Sequence, residues 1–213
     1  MRQKKYALIT GGSSGIGLAI AHELAKRGHS LLLVALDDHH LTTAQQQLSS
    51  KYPVDVQHLG VDLSQDRGPE QVSNWVMDNN FAVNILINNA GFGRNGLLES
   101  KDWSEYNTMI QLNNRAMVQL TYHLVSMLKQ SPGEAYIMNM SSMEVPLIMP
   151  YKAVYAATKH FVFGFSLGLR EELKSYGVSV TTVCPGPVMT NEDSKKRMLA
   201  MGRKARWIVL MPD

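Results

Sequence analysis

Thr10-Gly11-Gly12-Ser13-Ser14-Gly15-Ile16-Gly17 stands between a short apolar run, Lys5-Tyr6-Ala7-Leu8-Ile9-Thr10, and an alanine-rich amphipathic stretch that opens at Gly15. The run reads as a strand and the stretch as a helix, so the glycines form the turn that joins them. Glycine allows a tight reversal and lets the backbone approach a pyrophosphate closely. The helix N-terminus beyond it adds free amide donors and a partial positive charge. The Gly-Lys-Ser/Thr ending of a kinase-type phosphate loop is missing, which turns the reading toward another kind of nucleotide cradle.

The same alternation continues outward from this turn. Strands are expected at about 5–10, 30–35, 54–59, 83–88, 134–140 and 178–183, with helices at about 15–28, 38–50, 68–79, 102–130 and 152–176. Strand, crossover helix, parallel strand is the pattern of an α/β protein whose parallel sheet is covered on both faces. The irregular stretches 91–100, 141–151 and 185–205 all follow strand C-termini, where open α/β sheets bind ligands.

With 213 residues, 45% apolar and 18% charged, the chain fills one core, and no composition shift divides it, so a single domain over 1–213 is expected. One cysteine, Cys184, excludes an internal disulfide framework and suits a reducing, cytoplasmic compartment. No signal peptide is read at the start, and no uncharged apolar run reaches the roughly 18 to 20 residues of a membrane span, so no membrane partner is expected. The net charge is +3, but Lys195, Lys196, Arg197, Arg203, Lys204 and Arg206 fall in one segment. Without them the body is slightly acidic, and no nucleic-acid partner is expected.

Tyr155 and Lys159 lie four residues apart in a helical run, Ala153-Val154-Tyr155-Ala156-Ala157-Thr158-Lys159, and so share one face. A cation near a phenol favours the phenolate and makes Tyr155 a candidate acid and base. Taken alone, such a pair is more often an ordinary solvated helix face. The context decides.

Thr10-Gly11-x-x-x-Gly15-x-Gly17, Asp62-Leu63, Asn88-Asn89-Ala90-Gly91, Ser142, Tyr155-x-x-x-Lys159 and Pro185-Gly186-Pro187-Val188-x-Thr190 stand in the order and spacing of the classical short-chain dehydrogenases/reductases, which the chain resembles over about 5–190. The resemblance implies a Rossmann-type doubly wound sheet of order 3-2-1-4-5-6. It also implies an NAD(P)(H)-dependent oxidoreductase interconverting a carbonyl and a secondary alcohol. Tyr155 would supply the proton and Ser142, rather than its neighbour Ser141, would hydrogen-bond the substrate oxygen. Lys159 would lower the Tyr pKa and hold the nicotinamide ribose, and Asn113 would hold a water that relays protons from Lys159. Gly11, Ser13, Ser14, Gly15, Ile16 and Gly17 would cradle the pyrophosphate and nearby ribose. Asp62 and Leu63 would meet the adenine, and Asn89, Ala90 and Gly91 the second ribose. Pro185, Gly186, Val188 and Thr190 would close near the carboxamide.

Cofactor preference stays open. Asp37 can reach a ribose hydroxyl and repel a 2′-phosphate, which leans to NAD, whereas similar reductases with a small residue at the position of Ala35 take NADP. The resemblance further implies a homodimer through the helices at about 102–130 and 152–176. Since the chain stops at Pro212-Asp213, it also implies a missing last strand, an exposed sixth strand and a mobile 190–208 segment. A catalytically idle dinucleotide-binding sensor or scaffold is the alternative reading.

Other residues are assigned no chemistry. His39 and His40 follow Asp37 and Asp38, but adjacent residues at a helix start point apart and no zinc-like spacing completes them, so no metal is expected. Cys184 reads as buried filler. The apolar loop Met143–Pro150, with Phe92, suits either an adaptable wall for an apolar small-molecule substrate or a subunit contact. The 195–206 cations read as a solvated segment that could attract an anionic carrier.

Overall fold

A computed structural model describes residues 4–131, 134–145, 147, 150–186 and 188. Six parallel strands form one sheet: β1 Lys5–Thr10, β2 Ser30–Ala35, β3 Val56–Gly60, β4 Ala82–Asn88, β5 Ala135–Met140 and β6 Val178–Val183, in the order β3-β2-β1-β4-β5-β6. The helices between them are α1 Gly15–Lys26, α2 His39–Lys51, α3 Gly68–Asp78, α4 Trp103–Ile110, α5 Met117–Leu128 and α6 Ala153–Leu173.

Alternation along β1 sorts the two faces. Tyr6 and Leu8 pack into a core with Val72 and Val76 of α3, Leu120, Leu124 and Leu128 of α5, and Leu173 of α6. Ala7 and Ile9 pack on the opposite face against Ala21 and Ala25 of α1 and Leu41, Ala44 and Leu48 of α2. β2 is buried on both faces, hence its unbroken Leu31-Leu32-Leu33-Val34. The register between β1 and β4 shifts at Tyr6/Ala7, which puts Val83 and Leu86 on the same face although they are three residues apart.

Among the described residues, coverage of both faces, expected along the whole sheet, holds for the central strands and not for β5 and β6. On the α1/α2 side, Tyr136 is 46% exposed and Ser179 and Thr181 are exposed among the described residues. β6 lies at the edge of the sheet and pairs with β5 alone among the described strands.

The expected single helix over 102–130 is interrupted. Gln111–Ala116 forms a π-helical stretch between α4 and α5, with Asn113 and Asn114 buried in it. This widened turn carries one of the residues singled out above, as such turns often do. Asp38 starts α2 by accepting from the backbone N–H groups of His40 at 3.0 Å and Leu41 at 3.2 Å, which leaves Asp37 just outside the helix.

Candidate active site

The C-terminal ends of β1, β4, β5 and β6 converge on one cleft, and the glycine turn is tied to its neighbours before any ligand is considered. Thr10 Oγ1 accepts from the N–H groups of Asn89 and Ala90, both at 2.9 Å, and donates to the Ile87 carbonyl at 3.3 Å. Asn89 Nδ2 donates back to the Thr10 and Gly11 carbonyls at 3.0 and 3.3 Å. Gly11 takes a φ of +65°, a conformation that favours glycine. A Cβ on Gly17 would lie 2.1 Å from the Gly11 carbonyl oxygen, so only glycine lets α1 start this close to the turn. Ser14 precedes α1 in extended conformation, and its side chain makes no capping bond. The first N–H groups of the helix are therefore left without a side-chain cap beside Ser13, Ser14 and Ile16, a cradle that fits a phosphate group.

Asp37 is exposed and folds over the end of β3, where a Cβ on Gly60 would lie 2.5 Å from the Asp37 Cβ. Asp62 accepts from Ser64 N at 2.9 Å, Ser64 Oγ at 2.7 Å and Gln65 Nε2 at 3.0 Å. Burial pushes its carboxyl upward, but these hydrogen bonds outweigh that and hold it below the usual carboxylate range. Leu63 differs from expectation. Its side chain is 4% exposed and belongs to the α3/α5 core, so only its backbone could meet a base.

The second half of the cleft brings Asn113, Ser142, Tyr155 and Lys159 onto neighbouring elements. Ser141 and Ser142 differ in what holds them. Ser141 Oγ donates to the Lys159 carbonyl at 2.8 Å and is committed to α6, whereas Ser142 Oγ accepts from Glu144 N at 3.2 Å and its proton has no acceptor among the described residues. Ser142 is the less committed of the two hydroxyls. Glu144 in turn forms an ion pair with Lys152 that closes the base of the β5–α6 loop.

Lys159 is 5% exposed, donates to the Met140 carbonyl at 2.9 Å, and holds its ammonium 5.9 Å from the centre of the Tyr155 ring. Burial lowers its pKa from 10.5 to about 8, and the nearby Cys184 opposes that only in part. A buried cation with one carbonyl partner and no carboxylate among the described residues retains donors suited to the hydroxyls of a ribose. A Cβ on Gly91 would lie 3.4 Å from Lys159 Nζ and 2.8 Å from Asn113 Oδ1, so the bare backbone keeps this space open.

Asn113 does more than the sequence revealed. Its Oδ1 accepts from Phe92 N at 3.1 Å, and its Nδ2 donates to the Phe92 carbonyl at 3.0 Å and to Thr158 Oγ1 at 3.1 Å. Asn114 Nδ2 donates to the Thr158 carbonyl at 2.9 Å. Thr158 and Asn114 are thus further residues of the site. Their signal in the sequence was only adjacency, Asn114 to Asn113 and Thr158 to Lys159.

Pro185 accepts from Met143 N at 3.1 Å, joining the loops after β5 and β6, and Gly186 and Val188 are partly buried there. Thr190, the 190–208 segment and the basic cluster lie outside the described residues. Cys184 is exposed rather than buried, because it follows the last residue of β6 at the sheet's end. His39 and His40 are exposed but do not point apart. Their ring centroids are 3.9 Å from each other. No cluster of metal-ligating side chains occurs among the described residues, and no helix there is long and apolar enough to cross a membrane.

A parallel sheet of this order with a glycine-lined first turn defines the doubly wound, dinucleotide-binding class. Residues 5–198 match the family described as short chain dehydrogenase, and the chain belongs to that family. It is 32% identical over 188 residues to dehydrogenase/reductase SDR family member 7 of Homo sapiens, a match over 86% of this chain and 55% of that protein. It is also 32% identical over 190 residues to very-long-chain 3-oxoacyl-CoA reductase-A of Danio rerio, over 87% and 59%. The chain therefore spans little more than half the length of these two relatives. Among solved structures, L-sorbose reductase of Gluconobacter frateurii, complexed with NADPH and L-sorbose, superposes with a TM-score of 0.85 at 31% identity, over 96% of this chain and 78% of that one.

Proposed function

We propose that the protein is an NAD(P)(H)-dependent oxidoreductase that interconverts a carbonyl and a secondary alcohol. The observation that carries this reading is the buried Lys159 ammonium placed one helical turn from Tyr155, facing a strand end that presents the Ser142 hydroxyl. When bound, a reduced nicotinamide dinucleotide supplies the hydride. Ser142 donates a hydrogen bond to the substrate oxygen, and Tyr155 gives that oxygen its proton as negative charge develops. Lys159 stabilises the phenolate left behind. Asn113 fixes the loop after β4 and, as a proposal, holds a proton-relaying water.

A cavity of about 280 Å³ lies at the start of α6, lined by Leu97, Leu98, Tyr106 and Val154 with Arg94 and Lys152; Val154 precedes Tyr155, and Ser142, Tyr155 and Lys159 do not themselves line it. Met143 and Leu147 are exposed on the adjoining loop, which suits a moderately apolar substrate. Arg94 is paired with Glu105 at 2.6 Å, and Lys152 with Glu144, so the cations at this cavity are already compensated.

The test is a panel of acyl, steroid-like and small ketones with NADH and NADPH, following absorbance of the reduced nicotinamide. Turnover of at least one ketone is expected. Dinucleotide binding without any turnover would leave the idle sensor as the better reading. In the same assay Asp37→Arg should raise affinity for NADP(H) relative to NAD(H) about tenfold, because a guanidinium would replace a carboxylate near the 2′-position. An unchanged ratio would mean that position 37 does not face the ribose.

We also propose a homodimer through the helices at about 102–130 and 152–176. Ile110 and Phe161 are 39% and 48% exposed beside Val154 and Ala157, an apolar surface shared by α4 and α6. Sedimentation at micromolar concentration should give a dimer, and Phe161→Glu a monomer. A parent that sediments as a monomer would refute the assembly.

A further inference from the structure

We propose that Gly93 is a positioning residue for Tyr155, its missing side chain setting where the phenol ring stands. The inference rests on the acid role of Tyr155 proposed above. A Cβ built on Gly93 would lie 2.7 Å from Tyr155 Cδ2, 2.9 Å from Cε2 and 3.1 Å from Cγ, and these are its three nearest neighbours. Carbon atoms in contact prefer about 3.5–4.0 Å, so the ring would have to retreat by roughly 0.5–1 Å. The closest conflict is thus with the ring. The φ of Gly93 lies outside the left-handed region, so alanine is compatible with the backbone there.

The wall that Gly93 forms cannot easily yield instead. Both polar groups of Phe92, immediately before it, are bound by the Asn113 carboxamide at 3.1 and 3.0 Å, and Asn113 is 3% exposed. The same carboxamide reaches Thr158 Oγ1 at 3.1 Å, and Thr158 Oγ1 donates to the Tyr155 carbonyl at 2.7 Å. Loop, π-helical turn and α6 are therefore one hydrogen-bonded unit. Within it Gly91 faces Asn113 and Lys159, while Gly93 two residues later faces Tyr155. Misplacing a reacting group by about 1 Å can cost on the order of a hundredfold in rate.

The experiment compares the parent with Gly93→Ala, Tyr155→Phe, the double variant and Gln46→Ala. Gln46 is a control on the exposed surface of α2, away from both the cleft and the proposed dimer face. Gly93→Ala should lower kcat about 10- to 100-fold, with KM and dinucleotide Kd within about twofold of the parent. Gln46→Ala should change none of them. In the Tyr155→Phe background the added alanine should cost less than about threefold, since the group it displaces is gone. Independently of turnover, tyrosine ring carbon labelling should show the one signal absent from Tyr155→Phe shifted in Gly93→Ala, with the other tyrosine signals in place. An unshifted signal, or an equal penalty with and without the phenol, overturns the proposal. A ring signal that shifts in Gly93→Ala while the parent reduces no ketone would instead count against the proposed reaction, leaving the positioning intact.

Discussion

Replacing Tyr155 with Phe is expected to lower turnover by roughly 10²–10⁴-fold, the range for losing a positioned acid, or about 3–5 kcal/mol of barrier. The variant removes one oxygen and leaves the ring against Gly93, so packing and α6 should be unchanged. Dinucleotide affinity should stay within about threefold, because the buried Lys159 and the glycine turn are untouched. Steady-state rates at saturating cofactor, together with a fluorescence titration of cofactor binding, separate the two. A Phe variant that turns over near the parent rate would remove Tyr155 from the acid role and with it the reaction proposed here.

Lys159→Met should fold more stably than the parent at pH 7 while losing most turnover. Burial lowers the folded-state pKa of Lys159 from 10.5 to about 8. Below about pH 8 the ammonium is charged in both states, and the folded chain bears the full cost of burying it. Between about pH 8 and 10.5 the unfolded chain holds the proton that the folded chain has released. There the stability of the parent rises with pH as the penalty is lifted. The full shift corresponds to about 3 kcal/mol, less about 1 kcal/mol for the Met140 carbonyl left without its donor, so the variant should gain about 2 kcal/mol at pH 7. Urea unfolding of both proteins from pH 6.5 to 10 measures it. The gap should narrow steadily above pH 8. A gap that is absent at pH 7, or flat across the range, would show that the ammonium is solvated or compensated. A buried uncompensated cation is tolerable where it serves a ligand, which is the exchange of stability for function expected of a site.

Much of this architecture was legible in the residues themselves. Whether a side chain points into the core repeats every second residue in a strand and every three to four in a helix. Leu120 and Leu124 in α5 therefore declare their element locally, whereas Leu8 and Ile9 in β1, buried on opposite faces, belong to a short unbroken apolar run bounded by the glycine turn. Motif order along the chain likewise located the turn at Gly11–Gly17 and the Tyr155/Lys159 pair. The choice of Ser142 over Ser141 rests on spacing to Tyr155; that Ser141 is tied to the Lys159 carbonyl is a separate, tertiary fact.

What the sequence could not disclose is which distant groups satisfy one another. Asn113 binding both sides of Phe92, the ring of Tyr155 resting on Gly93, and Leu63 turning into the core all join residues with no periodic relation. The π-helical stretch at Gln111–Ala116 keeps the apolar spacing of an ordinary helix and shows itself only once its asparagines find partners on another loop. Exposure of Cys184 and of the β5–β6 face depends on what packs nearby, a property of the assembled sheet. By itself the sequence determined the order of strands and helices and put forward the candidate reactive side chains, because both are written in local pattern. Tertiary structure alone decided which of those side chains are buried, held and oriented, because hydrogen-bond partners and close contacts are chosen across the fold.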